Sequence, residues 1–133
     1  MRQIKFRGKR PHNNKWITGC YVEKGIHAYI LGNGHWEVEC ATEVLRETVG
    51  QFTGLKDNSE EKEDIYEGDI IEDESGTRWR VNWIENMAGF FLRNIDARPE
   101  RFDTISCRID KSTRYEIIGN IHDNPEMLEV KDE

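Results

Sequence analysis

The chain has 133 residues, 34% charged and 36% hydrophobic, with 26 acidic against 19 basic side chains and a net charge of −7. Such a length suits one domain, or one domain with a small partner, and its 4 Trp, 4 Tyr and 5 Phe are typical of a chain that collapses. No apolar run approaches the roughly 18 residues of a membrane span, so an integral membrane protein is excluded along with a collagen-like fibre and a fully disordered chain, and the acidic total disfavours a general nucleic-acid binder.

Taken in order, most segments read as strand. Residues 3–7 alternate and place Ile4 and Phe6 on one face. Residues 8–15 hold Pro11 and the pair Asn13-Asn14, a turn signature. Residues 16–22, rich in Trp, Ile, Thr, Tyr and Val, return as a strand and complete a hairpin. Gly25 breaks the run. Residues 27–31 and 36–40 then flank Gly32-Asn33-Gly34, a second hairpin signal, because glycine and asparagine tolerate positive φ. Residues 44–53 are ambiguous, and 56–63 form a polar loop. Ile65 and Tyr66 enter the turn Glu67-Gly68-Asp69, which leads into Ile70-Ile71. After a turn at 74–77, residues 78–84 alternate, with Trp79, Val81 and Trp83 on one face and Arg78, Arg80 and Asn82 on the other. A turn at 85–89, a strand at 90–93, a loop at 94–103 and a strand at 113–118 follow. Asp123-Asn124-Pro125-Glu126 reads as a helix start, with proline early and acids in the first turn, and that helix is expected to be short.

Short strands broken by turns every 8–12 residues point to a small barrel or sandwich. The run from Tyr66 through the EGD turn into a meander resembles an SH3-like barrel. Its logic is that Gly68 permits a tight bend while the Asp69 carboxylate accepts backbone N–H groups. The expected fold is therefore mainly β: a small SH3-like barrel with additional N-terminal hairpins and a short C-terminal helix. Residues 1–55 are read as a β-hairpin region packing on the barrel, and 56–133 as the barrel region with its helical segment.

Charge is segregated. Residues 1–15 carry six basic residues (Arg2, Lys5, Arg7, Lys9, Arg10, Lys15) and no acid. Residues 56–76 carry ten acids against two lysines, and 123–133 five acids against one lysine. Three cysteines, Cys20, Cys40 and Cys107, cannot pair fully within one chain and form no CxxC, so neither a disulfide framework nor a zinc ribbon is expected. The four histidines, His12, His27, His35 and His122, form none of the HxH, HExxH or HxxxH spacings. His27 and His35 flank the second hairpin, but a metal there needs a third ligand. The basic N-terminus is followed by no apolar run of the signal-peptide kind, so residence in the cytoplasm of a bacterial host cell is the expectation.

Several segments are dense in glycine, aromatics and β-branched residues. They are IKFRGK at 4–9, WITGCYV at 16–22, ETVGQFTGLKD at 47–57, DIYEGDII at 64–71 and YEIIGNIHDNPEML at 115–128. Together they closely resemble the YopX family of small phage and prophage proteins, from Ile4 to Leu128. The resemblance implies a phage-borne, mostly β module and brings no catalytic residues with it. Residues 85–113 lie outside its motifs.

For chemistry, GQFTG at 50–54 lacks the Lys-Ser/Thr of a phosphate loop. No serine has a G-x-S-x-G setting and no cysteine an obvious histidine partner. A carboxylate-metal hydrolase around Asp64, Glu67 and Asp69 is the least favoured reading, since a turn-stabilising aspartate explains the same residues. No enzyme activity, metal or cofactor is expected. The leading expectation is an accessory protein acting through self-association or contact with a phage or host protein, because edge strands offer unpaired backbone. Its nominated surface is Arg7, Trp16, Gln51, Thr53, Asp57, Tyr66, Glu67, Asp69 and Asn120. The alternative is a nucleic-acid-binding barrel using the N-terminal hairpin through Lys5, Arg7, Lys9, Arg10 and Lys15 with Trp16, aided by Arg78 and Arg80.

Overall fold

The computed structural model describes residues 3–32, 41–96, 106–108 and 113–129, with the backbone alone at 106–108. It is mainly β, and divides into two compact units, Met1–Gly54 and Leu55–Glu133. No helix among the described residues is long and apolar enough to cross a membrane.

The first unit is an antiparallel meander. Its strands are β1 (Phe6–Lys9), β2 (Trp16–Lys24), β3 (His27–Leu31), β4 (Thr42–Val44) and β5 (Gly50–Lys56), ordered β4-β3-β2-β1-β5. The first hairpin is as read, though its strand starts at Phe6 rather than Gln3 and runs through Gly8 to Lys9. Register makes the two faces unlike. Phe6, Ile17 and Tyr21 pack with Val49 against the buried cluster Ala28, Ile30 and Val44. Lys5, Arg7 and Lys9 alternate onto the opposite face. Gly19, opposite Phe6, lets β2 and β3 approach so closely that a Cβ there would overlap the Leu31 carbonyl oxygen. The ambiguous 44–53 stretch resolves into the end of β4, a single 3-10 turn at Arg46–Thr48 and the start of β5. The second strand of the expected Gly32-Asn33-Gly34 hairpin lies outside the described residues; among them, the outer neighbour of β3 is β4.

The last two residues of β5 belong to the second unit, where β6 (Asp64–Tyr66) lies beside that strand and Asp57 donates its N–H to the Glu63 carbonyl at 2.8 Å. The main sheet of this unit comprises β7 (Asp69–Asp73), β8 (Arg78–Ile84), β9 (Gly89–Asn94), β10 (Ser106–Arg108) and β11 (Tyr115–Asn120), ordered β10-β9-β8-β7-β11. β10 falls in a stretch to which the sequence reading assigns no element. One face packs as a cluster of Ile65, Ile71, Val81, Leu92 and Tyr115, with Leu55, Trp79 and Ile117 against it.

Two expectations need correction. The second sheet is open, so a closed SH3-like barrel is not what forms. The edge that closure would need is already occupied. On the outer side of β11, the Tyr115 N–H donates to Asn58 Oδ1 at 2.9 Å, the Ile117 N–H to Asp57 Oδ2 at 3.1 Å, and the Tyr115 carbonyl accepts from the Asn58 N–H at 2.7 Å. The C-terminal helix is a single 3-10 turn, Pro125–Leu128. Its propagation is blocked at both ends. Asn120 and Asn124 tie up the turn before it, and Arg78 donates to the carbonyls of Met127 (2.9 Å) and Glu129 (3.0 Å).

Candidate functional site

The N-terminal cations come together as the 2-residue period of a strand requires. Lys5, Arg7 and Lys9 share one face, and Lys9 stands opposite Trp16 in the register. The Arg7 guanidinium lies 4.5 Å from the centre of the Trp16 ring, the Lys9 ammonium 5.7 Å from it, and the Lys5 ammonium 4.8 Å from the Phe52 ring. These are cation–π distances, and they hold three positive charges along an aromatic floor. The backbone behind the row is fixed. The Lys9 N–H donates to Thr48 Oγ1 at 2.9 Å, the Lys9 carbonyl accepts from Leu45 N–H at 2.8 Å, and Thr48 Oγ1 in turn donates to the Leu45 carbonyl at 2.6 Å. Arg10 and Lys15 lie exposed in the adjoining turn, which closes through Arg10 N–H to the Lys15 carbonyl at 2.9 Å. Gln51 is paired in register with Phe6, so it and Thr53 occupy the other face of the sheet.

The nominated residues of the second unit serve its own backbone. Asp57 is 2% exposed. Its Oδ1 accepts from the Ser59 hydroxyl (2.7 Å), the Glu63 N–H (2.9 Å) and the Ser59 N–H (3.2 Å), and its Oδ2 from Ile117 N–H. Burial pushes this carboxyl up, but the Ser59 hydroxyl and the three N–H groups outweigh it and hold it below the ordinary carboxylate range. Asp69 is buried and its Oδ2 accepts from Tyr66 N–H at 2.8 Å, closing the EGD turn as its residue types imply. Gly68, at φ 91°, supplies the left-handed bend between them. Tyr66 is buried and Glu67 half-buried. Asn120 Oδ1 accepts from the N–H groups of His122 (3.0 Å) and Asp123 (2.9 Å), an Asx turn. Asp64 pairs with Lys56 at 3.0 Å. Among the described residues, no three His, Cys, Asp or Glu side chains gather as a metal-binding group. Cys20 is exposed and free, and His27 contacts Glu43 at 2.8 Å.

Two residues escaped the sequence reading. Arg78 is 6% exposed rather than outward and solvated; its Nη2 and Nε meet Asp96 at 2.7 and 3.2 Å. The hydrogen bond and charge of Asp96 raise its already high pKa despite burial. Alternation alone could not reveal that the C-terminal segment covers the arginine. Asp73 was readable, since Asp-Glu-Ser-Gly-Thr is a turn sequence. Its Oδ1 accepts from Ser75 and Thr77 and its Oδ2 from the Trp79 indole N–H at 3.0 Å. A polar recess of about 240 Å³ is lined by Asn58, Glu72, Asp73, Glu74, Arg114 and Glu116, away from the nominated residues.

Fold and site together define a mainly β protein of two units, with a cation–aromatic face on the first and self-bonded turns in the second. The chain belongs to the YopX protein family, whose profile matches residues 5–129, nearly its whole length. No curated protein sequence matches it.

Proposed function

We propose that this chain is a phage or prophage accessory protein of the host cytoplasm that works by binding nucleic acid. Its contact surface is the row Lys5, Arg7 and Lys9 with Trp16, extended by Arg10 and Lys15. The observation that carries this reading is the stacking of the Arg7 guanidinium on Trp16 with Lys9 beside it. Such a surface offers point charges for phosphates and a flat cationic plane for an unpaired base, the combination used on single strands. Fluorescence anisotropy of a labelled single-stranded oligonucleotide tests it. Binding at low salt that weakens as salt rises, and is lost in Arg7→Ala/Lys9→Ala, is the expected result. Absence of binding at low salt refutes it.

Self-association is the second reading. The favouring observation is a pair of exposed apolar side chains, Trp83 in β8 (39% exposed) and Met87 in the turn that follows it (56%), with Trp83 edge-on to Phe90 at 5.1 Å. Strand addition at β11 is less favoured, since Asp57 and Asn58 occupy its outer edge. A strict monomer by mass measurement at high concentration would count against self-association.

A further inference from the structure

On the face of the second sheet turned away from its hydrophobic cluster, Arg80 of β8 and Arg93 of β9 stand directly opposite each other, with Ile70 of β7 completing the row. Like charges directly opposite on a sheet destabilise the pair. Among the described residues, no acid forms an ion pair with either of them. Asp96 is held in a fork by Arg78, and Glu72 stands opposite Arg78 rather than Arg80. The Arg80 Nε is shut off from water and donates to no acceptor among the described residues. The Arg80 residue as a whole is half-buried. Arg93 is exposed, so the pair is reached from solvent on that side. Asn82, two residues beyond Arg80 on the same face, is half-buried and adds an amide.

We propose that Arg80 and Arg93 form an oxyanion subsite that takes a phosphate group. Two guanidinium forks on neighbouring strands present N–H donors to the oxygens of a tetrahedral anion, the bidentate geometry that arginine's planar fork supplies. A bound phosphate accepts from the terminal guanidinium N–H groups of the pair and neutralises the repulsion across the strands. The site lies in the second unit and does not rest on the first-unit reading above.

The test uses full-length protein and follows the arginine Nε–Hε signals by NMR during titration with inorganic phosphate, at ionic strength held constant with chloride. The expected result is a saturable shift of the Arg80 and Arg93 signals and a rise in melting midpoint. Arg93→Gln and Arg80→Met each weaken that response by about tenfold or more, as loss of charge-assisted hydrogen bonds implies. Lys24→Gln leaves it unchanged. Without phosphate, Arg93→Gln melts no lower than the parent, because it removes a repulsion. A parallel titration with a short oligonucleotide distinguishes sources. Shifts of the same two signals at lower concentration assign the phosphate to a nucleic-acid backbone, and a response to inorganic phosphate alone assigns it to a free anion. The proposal is overturned if neither titrant moves the two signals, if Arg93→Gln keeps the phosphate response, or if that variant is destabilised without ligand. Failure of the Arg7/Lys9 surface would leave the phosphate response at Arg80 and Arg93 intact, so the two readings fail separately.

Discussion

The Asp57 carboxylate accepts hydrogen bonds from Ser59, Glu63 and Ile117, tying the 57–63 loop to β11. Its folded pKa lies below the ordinary value, and the Asp73 carboxyl is lowered in the same way: burial raises it, and bonds from Ser75, Trp79 and Thr77 outweigh burial. A depressed carboxyl contributes stability above its unfolded pKa of about 3.9 and loses it as pH falls through the lower folded value. The protein should therefore lose stability below about pH 4. Asp57→Ala strands several donors, and urea unfolding at pH 7 should show a loss of about 3 kcal/mol. Asp57→Asn, which keeps an acceptor, should cost about 1–2 kcal/mol. The gap to the parent should narrow for both variants as pH falls below about 4, because the parent then loses the same charge, and Asp57→Ala should keep the part that comes from its stranded donors. A gap that stays constant with pH would show that the carboxylate's charge is not what the loop uses.

Among the elements, Arg78 links β8 to the C-terminal turn through two carbonyls and to the loop after β9 through Asp96. Its side chain is 8% exposed and that of Asp96 31%, so the pair is partly shielded from water. Arg78→Met keeps the apolar stem and removes the donors. It should cost about 2–3 kcal/mol, since one partner of a shielded pair is left alone. Hydrogen exchange should quicken first at residues 121–129. Uniform quickening through β7 to β9 would instead mean that Arg78 supports the sheet itself. Gly19→Ala should be worse tolerated than any surface change in the first unit, because the added Cβ meets backbone of β3 rather than a movable side-chain end. Thermal unfolding would show this as a large drop in midpoint. These elements also show what a sequence can carry. The EGD turn was legible because glycine and aspartate have local roles, and the 78–84 alternation correctly turned Val81 to the core. The fate of Arg78 was not legible, because a covered outer face depends on a segment some 50 residues away. Barrel closure was misjudged for the same reason: the groups filling the edge of β11 come from the loop after β5. Arg7 and Trp16 of the nominated surface, and Lys5 and Lys9 of the nucleic-acid alternative, stood out as a charge run beside an aromatic, and the strand period places the three cations on one face. The side-chain oxygens of Asp57, Asp69 and Asn120, also of the nominated surface, hold turns and a strand edge.

At the scale of the whole molecule, the net charge of −7 combines a basic head of six cations with an acidic middle and tail. Long-range attraction and local contact then have opposite signs for a nucleic-acid ligand. The acidic total repels phosphates at a distance, an effect screened beyond the Debye length of about 10 Å at 0.1 M salt. On the proposed reading, contact at the Lys5–Arg7–Lys9 row would displace counterions from the strand, an effect that persists at short range. The salt dependence of affinity therefore counts local contacts rather than net charge. Three phosphate contacts on a single strand predict a slope of about −2 for log K against log salt. In Arg7→Ala/Lys9→Ala one contact remains, and the slope should flatten to about −0.7. Lys24→Gln changes the net charge without touching the row and should leave the slope unaltered. A parent slope of about −3.5 would bring Arg10 and Lys15 onto the phosphates as well. A slope that follows net charge equally in all three proteins would remove the row from the binding surface altogether.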